Sequence, residues 1–442
     1  MSEQTAQAAQ QKTQQKTQQK TQQEGQRQAR RGGSRRETIV IGAGMVGLAT
    51  AWFLQDKGHG VTVIDRDGVA AGSSWGNAGW LSPGKAIPLA NKELWAYTPK
   101  AFFDPDAALH VPLRPRLDVM SFGLRFLMHA NDSAWDRTMA ALTPIDKDAL
   151  SAFDELTNNG VDSWTKETPF VIAFSGEEEA EGFISEVQGA IRHGQEVPFR
   201  EEKNPRQLVP HLSDAATLVF TMDRQRFLEP GPFVHALADD VVRRGGRIVT
   251  GVSVTDVNST RVPVVQLSTG ERWSADHVVI ATGAWLPTLA RKLGVRTKVQ
   301  AGRGYSFSVD TGDTPIEYPV YLPAERLACT PYQGRFRIAG TMEFKRPDEP
   351  FAPQRVESMV KHARTMFDGI DFTDRQDEWV GSRPVTPDGL PLVGATTAPG
   401  VYVAGGHGMW GMVLGPATGR ALAELITTGE TPHVIRPFNP LR

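Results

Sequence analysis

The stretch Gly72 to Gly84 reads GSSWGNAGWLSPG: four glycines, three serines, two tryptophans and no charge. Gly72-Ser73-Ser74-Trp75-Gly76 has the G-x-S-x-G spacing of a serine nucleophile. The same small residues and aromatics can instead mould a loop around a flat cofactor. A nucleophile elbow needs a strand directly before the serine and a helix directly after it. Here Gly68 to Ala71 reads as a turn, and Asn77 to Gly84 holds too many helix breakers. The cofactor reading explains more. Ser73 and Ser74 can donate to pyrophosphate oxygens. Asn77, Ala78 and Gly79 can present backbone to a ring system, and Trp80, with Leu81 beside it, can wall that ring.

The element before this loop sets its context. TIVIGAGMVGLATAWFLQDKGHGVTVIDRD runs from Thr38 to Asp67. Thr38 to Ile41 is a β-branched strand, and Gly42, Gly44 and Gly47 fit G-x-G-x-x-G. Met45 to Lys57 has helical spacing, and Val61 to Ile64 is a second strand closed by Asp65 and Arg66. Gly42 permits the tight turn, Gly44 lets backbone approach a pyrophosphate, and Gly47 lets helix and strand pack closely. The helix N-terminus then faces the phosphates. Asp65 stands 18 residues past Gly47, where an acid bonds a ribose hydroxyl and disfavours a 2′-phosphate. This unit does not by itself separate NAD from FAD.

Three later features favour FAD. No second G-x-G-x-x-G unit follows, since Gly302-Arg303-Gly304 lacks the rest of the motif. HVVIATGAW (His277 to Trp285) is an apolar strand ending in Ala-Thr-Gly, so Gly283 and Trp285 can meet the cofactor. GVYVAGGHGMWGMVLGPATGRALAELI (Gly400 to Ile426) is a strand, a glycine cluster and a helix. It offers Gly406, His407, Gly408, Met409, Trp410, Gly411 and Met412 around a second helix N-terminus.

These motifs, with RGYSFSV (Arg303 to Val309) and GSRPVTPDGLPLVG (Gly381 to Gly394), occur in an order that resembles the D-amino-acid oxidase-like FAD amine oxidoreductases. Asn77-Ala-Gly followed by Leu81-Ser-Pro-Gly is most similar to the small subunit of bacterial D-amino-acid dehydrogenases. The resemblance implies oxidative deamination of a D-amino acid, or a secondary amine such as D-proline, by hydride transfer from Cα to flavin N5. Electrons would pass to a quinone or carrier. It also implies that Arg383 clamps the substrate carboxylate, which bidentate guanidinium pairing suits. Tyr305 is a candidate second ligand to that carboxylate, and His407 a candidate for tuning flavin or orienting substrate. Val254 is expected near the adenine, as in that family. The linking cysteine of covalent relatives falls where this chain has Gly381-Ser382, so noncovalent FAD is expected. Two alternatives stay open: a glycine/sarcosine-type oxidase using O₂, and a flavin-binding subunit active only inside a heteromeric complex.

The chain has 442 residues, enough for more than one core. The expected fold is α/β: a Rossmann-type FAD-binding domain interleaved with a mixed-sheet α+β substrate domain. FAD-binding segments are expected at 37–90, 228–296 and 376–432, and substrate-domain segments at 91–227 and 297–375. Residues 1–36 repeat KTQQ, carry a net charge of +6 and read as a disordered basic tail, leaving −8 on the rest. That acidic body argues against nucleic-acid binding. One cysteine, Cys329, excludes intrachain disulfides and reads as a small buried residue. Ten scattered histidines give no metal-ligand spacing. No apolar run reaches the ~20 residues of a membrane span. The expected location is the cytoplasm. Peripheral contact with the inner face of the cell membrane, through Phe102, Phe103, Phe122, Phe126 and the tail, is a candidate.

The sequence predicts a yellow protein whose FAD is released by acid or heat. An absorbance spectrum of the purified protein checks this, and a colourless protein that binds NAD would overturn it.

Overall fold

The computed structural model describes residues 35–442 except 105, 112–116 and 333. The expected basic tail therefore lies almost wholly outside the described residues. Residues 37–442 form one compact unit.

Apolar β-branched runs build the first sheet. Its strands lie in the order Leu392–Ala395, Val401–Gly405, His277–Ile280, Glu37–Ile41, Gly60–Asp65 and Arg247–Thr250. All neighbours are parallel except the first two. The glycine-rich turn follows the central strand, and helix Met45–Asp56 starts from it. The turn is sterically over-determined. A Cβ on Gly47 would sit 2.0 Å from the Gly42 carbonyl oxygen, and one on Gly42, at φ +115°, 2.4 Å from that of Ala281. Helix Gly411–Thr428 lies against helix Met45–Asp56 just as closely. A Cβ on Gly419 would meet the Thr50 nitrogen at 2.6 Å, and one on Gly415 the Met45 side chain at 2.8 Å.

A second, mixed sheet has ten strands. Its main path runs Gln376–Val385, Gln300–Val309, Arg335–Lys345, Leu327–Tyr332, Val320–Leu322, Lys166–Phe174, Leu218–Phe227 and Trp80–Leu81. Helix Pro353–Met366 covers a core of Tyr305, Phe307, Ile338 and Met359, among others. Cys329 is buried in that core, as expected. A separate three-stranded sheet spans Val254–Ser259, Pro263–Leu267 and Arg272–Ser274.

Two segments cross the expected division. Helix Asp132–Asn158, inside the expected substrate segment 91–227, buries Leu142, Ile145, Ala149 and Phe153 in the core of the nucleotide-side helices. Strand Gln376–Val385, inside an expected FAD segment, is instead an edge of the second sheet. Propensity locates a helix or strand but not the layer that takes its apolar face.

The aromatic segment after Ala86 also needs correction. Phe122 and Phe126 do not face outward. They stack on each other, centroids 5.6 Å apart, and pack on Phe344. The opposite face of the same helix, Leu117–Met128, leaves Leu117, Met120, Leu124 and Met128 exposed, Leu117 at 83%. Phe103 of helix Glu93–Phe103 is also exposed, at 76%. No helix among the described residues is long and apolar enough to cross a membrane.

Gly47→Ala is expected to cost about 1–3 kcal/mol through overpacking against the Gly42 carbonyl, read by denaturant unfolding. Gly123→Ala, on a helix with nothing within 4 Å of the added methyl, is expected to be neutral or stabilising by up to about 1 kcal/mol.

Candidate cofactor and substrate site

Both helix N-termini open on one cleft. Gly42, Gly44, Met45 and Val46 line it from the first helix, and Gly411 and Met412 from the last. Ser74 Oγ accepts the Met45 N–H at 3.1 Å, which leaves the hydroxyl proton free to donate. Asp65 also lines the cleft and is held by backbone. Its Oδ2 accepts the Ala43 N–H at 2.8 Å, and its Oδ1 accepts those of Asp67 and Gly68 at 2.9 and 3.0 Å. The carboxylate thus locks the glycine turn to the end of the second strand. Its remaining lone pairs can take ribose hydroxyls. Val254 and Gly283 line the same end, Gly283 at φ +54°. Arg66 lies 4.1 Å over the Trp285 ring, and both donate to Asp348, at 3.2 and 3.0 Å. Sequence reasoning missed Asp348, which no motif marks.

The other end of the cleft is lined by Ser73, Asn77, Arg383, His407, Gly408 and Met409. Arg383 comes from the edge strand of the second sheet, in register with Gly302. Its side chain crosses Gly304, where a Cβ would lie 2.1 Å from the guanidinium carbon. Its Nη1 donates to the Thr341 carbonyl at 2.8 Å. Thr341 sits at φ +48°, close to a break in the strand register at Arg303/Tyr305. Among the described residues no carboxylate pairs with Arg383. Asp388, the nearest acid C-terminal to it in sequence, is taken by Arg442 at 2.8 Å. Burial lowers Arg383 to about 10, so it remains a cation at neutral pH.

His407 is buried, with Nε2 3.0 Å from Thr418 Oγ1. Burial lowers its pKa to about 4, so the imidazole is neutral at physiological pH. Gly406 does not line the cleft. Its φ of +73° turns the chain beside Thr386 and Leu392. Trp410 is also off the cleft and donates from Nε1 to the Ile87 carbonyl at 2.9 Å.

Several expected roles are not met by the geometry. Tyr305 does not line the cleft. It donates to the buried Glu343 carboxylate at 2.5 Å, and burial together with Glu343 pushes its pKa up. Burial alone would raise Glu343, but the bonds from Tyr305 and Lys345 and the Arg303 charge bring it below its ordinary value. Trp80 does not wall the cleft. Strand pairing with Phe227 turns it onto Phe170 and Tyr321, at 4.9 and 5.5 Å, and its Nε1 donates to Thr330. Leu81 is core. Ser73 lines the cleft, but its hydroxyl donates to the Ser382 carbonyl. Ala78 and Gly79 lie behind the cleft wall, tied to the second sheet and to Leu228. Gly47 acts through helix–strand packing, as expected, rather than at the cleft surface.

Two helix N-termini, a glycine turn and an acid-ended strand around one cleft, with a lone guanidinium at its far end, define a dinucleotide-binding oxidoreductase. Residues 37–425 match the family described as FAD dependent oxidoreductase, and the chain belongs to that family. D-amino acid dehydrogenase of Cereibacter sphaeroides (strain ATCC 17029 / ATH 2.4.9) is 31% identical over 413 residues, 90% of this chain and 92% of that protein. D-amino acid dehydrogenase of Dechloromonas aromatica (strain RCB) is 28% identical, over 90% of this chain and 99% of its own. The fold is shared with glycine oxidase from Geobacillus kaustophilus (TM-score 0.71, 22% identity, 92% and 99% of the two chains). It is shared as well with L-proline dehydrogenase from P. horikoshii (TM-score 0.63, 19% identity, 92% and 97%).

The residues present fit FAD. The open side of Gly44 leaves room for a pyrophosphate, with only Ser74 Oγ within 4 Å of an added Cβ. Thr282 Oγ1, on the cleft wall, is buried without a hydrogen-bond partner among the described residues. That hydroxyl is a donor awaiting a ligand acceptor.

Burial of His407 has a consequence for acid stability. Below an unfolded-state pKa near 6.5, the unfolded chain takes up a proton that the folded chain refuses until about pH 4. Stability therefore falls as pH drops through that window, by up to about 3 kcal/mol. In H407N this part of the acid slope is expected to vanish, read by denaturant unfolding at pH 7, 5.5 and 4.5. Parallel slopes in the two proteins would mean that the imidazole is protonated in the fold.

Proposed function

We propose that this chain oxidises a neutral D-amino acid, or a related secondary amine such as D-proline, and passes the electrons to a quinone or carrier. The observation that carries the reading is Arg383, a desolvated guanidinium on the cleft wall without a carboxylate partner among the described residues. Isolated buried charge is costly, so a site that keeps one is built for a bound anion. The names of the relatives at 28–31% identity support the choice of D-amino acids.

Bound FAD supplies the two-electron acceptor. The chain does the rest by position and charge. Arg383, steadied by the Thr341 carbonyl, keeps N–H groups for a bidentate grip on the carboxylate, which fixes the rotation of Cα in the cleft. The reacting amine must be neutral, because its lone pair forms the C=N bond as Cα–H leaves with its electron pair. The fixed cation of Arg383 disfavours the ammonium form. The only cleft-lining carboxylates among the described residues are Asp65 and Asp67, at the nucleotide end. Met409 and Met412 line the cleft with apolar surface that limits water. The imino acid formed then hydrolyses to a 2-oxo acid and ammonia, or for a cyclic amine remains an imine.

Arg383→Met is expected to lower kcat/KM by at least about a hundredfold, the cost of a buried charge-assisted pair, with FAD content unchanged. Arg383→Lys should recover only part, because a point charge lacks the fork. The assay is dye reduction with a panel of D- and L-amino acids. Turnover of glycine or sarcosine alone would favour the oxidase reading. Flavin that no amine bleaches in the isolated chain would favour a subunit of a larger complex.

Peripheral membrane contact is part of the same proposal. The exposed stripe Leu117, Met120, Leu124 and Met128, with Phe103 nearby in sequence, supports it. Co-sedimentation with vesicles of anionic lipid is expected for the full chain and reduced severalfold in Met120→Asp/Leu124→Asp. Equal binding by both proteins would remove this face from the proposal. Reoxidation of the reduced flavin by a soluble quinone faster than by air is the expected kinetic outcome.

A further inference from the structure

The loop carrying Gly76 to Gly79 is fastened from behind in a way no motif reveals. Three consecutive carbonyls accept hydroxyls from the second sheet. Ser306 Oγ donates to the Gly76 carbonyl at 2.8 Å, Tyr332 Oη to that of Asn77 at 2.9 Å, and Thr330 Oγ1 to that of Ala78 at 2.6 Å. In a trans peptide the following N–H points the opposite way. The N–H groups of Asn77, Ala78 and Gly79 are therefore turned away from that sheet, and Asn77 lines the cleft. Asn77 N–H reaches the Ser74 carbonyl only at 3.5 Å, and that of Gly79 is taken by Asn77 Oδ1 at 2.9 Å. The Ala78 N–H makes no hydrogen bond among the described residues.

Behind the hydroxyls lies a buried cation. Arg337 is 3% exposed. Its Nη2 donates to Ser306 Oγ at 2.8 Å, and its Nη1 to Ser308 Oγ and the Asp377 carbonyl, both at 3.2 Å. Its Nε has no hydrogen-bond partner among the described residues. Among the described residues no carboxylate lies in ion-pair contact with it, since Asp377 is engaged by Arg335 at 2.7 Å. The guanidinium also faces the Trp75 ring at 5.0 Å. Gly76 leaves it room, as a Cβ there would lie 2.7 Å from Nη2 and 2.2 Å from Trp379. A buried guanidinium costs several kcal/mol unless its charge is used. Here it is hydrogen-bonded almost wholly to neutral oxygens that lead, in one step, to the cleft loop.

We propose that Arg337 tunes the flavin: its charge, relayed through Ser306 Oγ to the Gly76 carbonyl, polarises the Gly76–Asn77 peptide, whose N–H belongs to the cleft-lining Asn77, and favours the negatively charged reduced cofactor. Ser306, Thr330 and Tyr332 are positioning residues for the same loop. The inference rests on the flavin ring lying at the 72–79 end of the cleft, and not on which amine is the substrate. Positive potential on this side stabilises the reduced form in a low-dielectric setting, where peptide dipoles and a fixed cation act at full strength.

The test is the flavin midpoint potential of the holoprotein, measured with a reference dye and an enzymatic reductant, with no amine present. Arg337→Met is expected to lower the reduced-to-oxidised ratio at a given dye poise at least tenfold, about 30 mV for a two-electron couple. Arg337→Lys is expected to restore most of it, because the charge stays. The FAD dissociation constant, from flavin fluorescence, should change less than threefold in Arg337→Lys. Arg337→Met holding FAD at the wild-type potential overturns the proposal. Should Arg337→Met not retain FAD, Ser306→Ala decides, since it cuts the relay and leaves the cation. A smaller drop in the same direction supports the proposal, and a wild-type potential overturns it. Neither readout depends on Arg383 or on turnover, so failure here is distinct from failure of the substrate assignment.

Discussion

The structure depends on backbone touching backbone where side chains are missing. Gly47 against the Gly42 carbonyl, Gly42 against that of Ala281, and Gly419 against Thr50 are contacts that no Cβ survives. They press helices Met45–Asp56 and Gly411–Thr428 together and draw the ends of three parallel strands under one turn. Each helix N-terminus carries roughly half a positive charge in unpaired N–H groups. Bringing two of them to one cleft creates a place for anionic groups before any charged side chain is added.

The charged side chains then divide the cleft. At the nucleotide end the negative charge of Asp65 is spent on holding the glycine turn, and Arg66, Trp285 and Asp348 meet at the edge. At the other end, among the described residues, positive charge comes from the second sheet: Arg383 on the wall and Arg337 behind the loop. The two arginines differ in access. Arg383 reaches the cleft because Gly304 and the break in register at Arg303/Tyr305 clear its path. Arg337 does not line the cleft; it lies behind the loop and donates to Ser306, Ser308 and the Asp377 carbonyl. Glu343, by contrast, is met within the second sheet by Arg303, Lys345 and Arg355 and by the Tyr305 hydroxyl. Its charge is internal, and this separates it from the two guanidiniums that lack a carboxylate partner among the described residues.

Local chemistry made much of this legible in the sequence. A β-branched strand, spaced glycines, an amphipathic helix and an acid-ended strand have lengths that permit one arrangement, so the cleft's nucleotide end and Gly42, Gly44, Gly47 and Asp65 could be read directly. The FAD-dependent class and Arg383 came from the ordered motifs. Side-chain direction could not be read. Trp80 and Tyr305 sit in motifs that border the cleft, yet strand pairing turns one onto Phe170 and the other onto Glu343. A strand alternates its faces, and which face meets the cleft depends on a register set by distant strands. The same reason hid the layer of helix Asp132–Asn158, the partners of Asp348, and Arg337. An arginine between Phe336 and Ile338 looks like a surface residue until the neighbouring strands of its own sheet and the 72–79 loop enclose it. Sequence determined which residues could serve chemistry by type and local spacing. Tertiary structure decided which of them keep a free hydrogen-bonding edge toward the cleft, because only packing between the two sheets consumes or spares those edges.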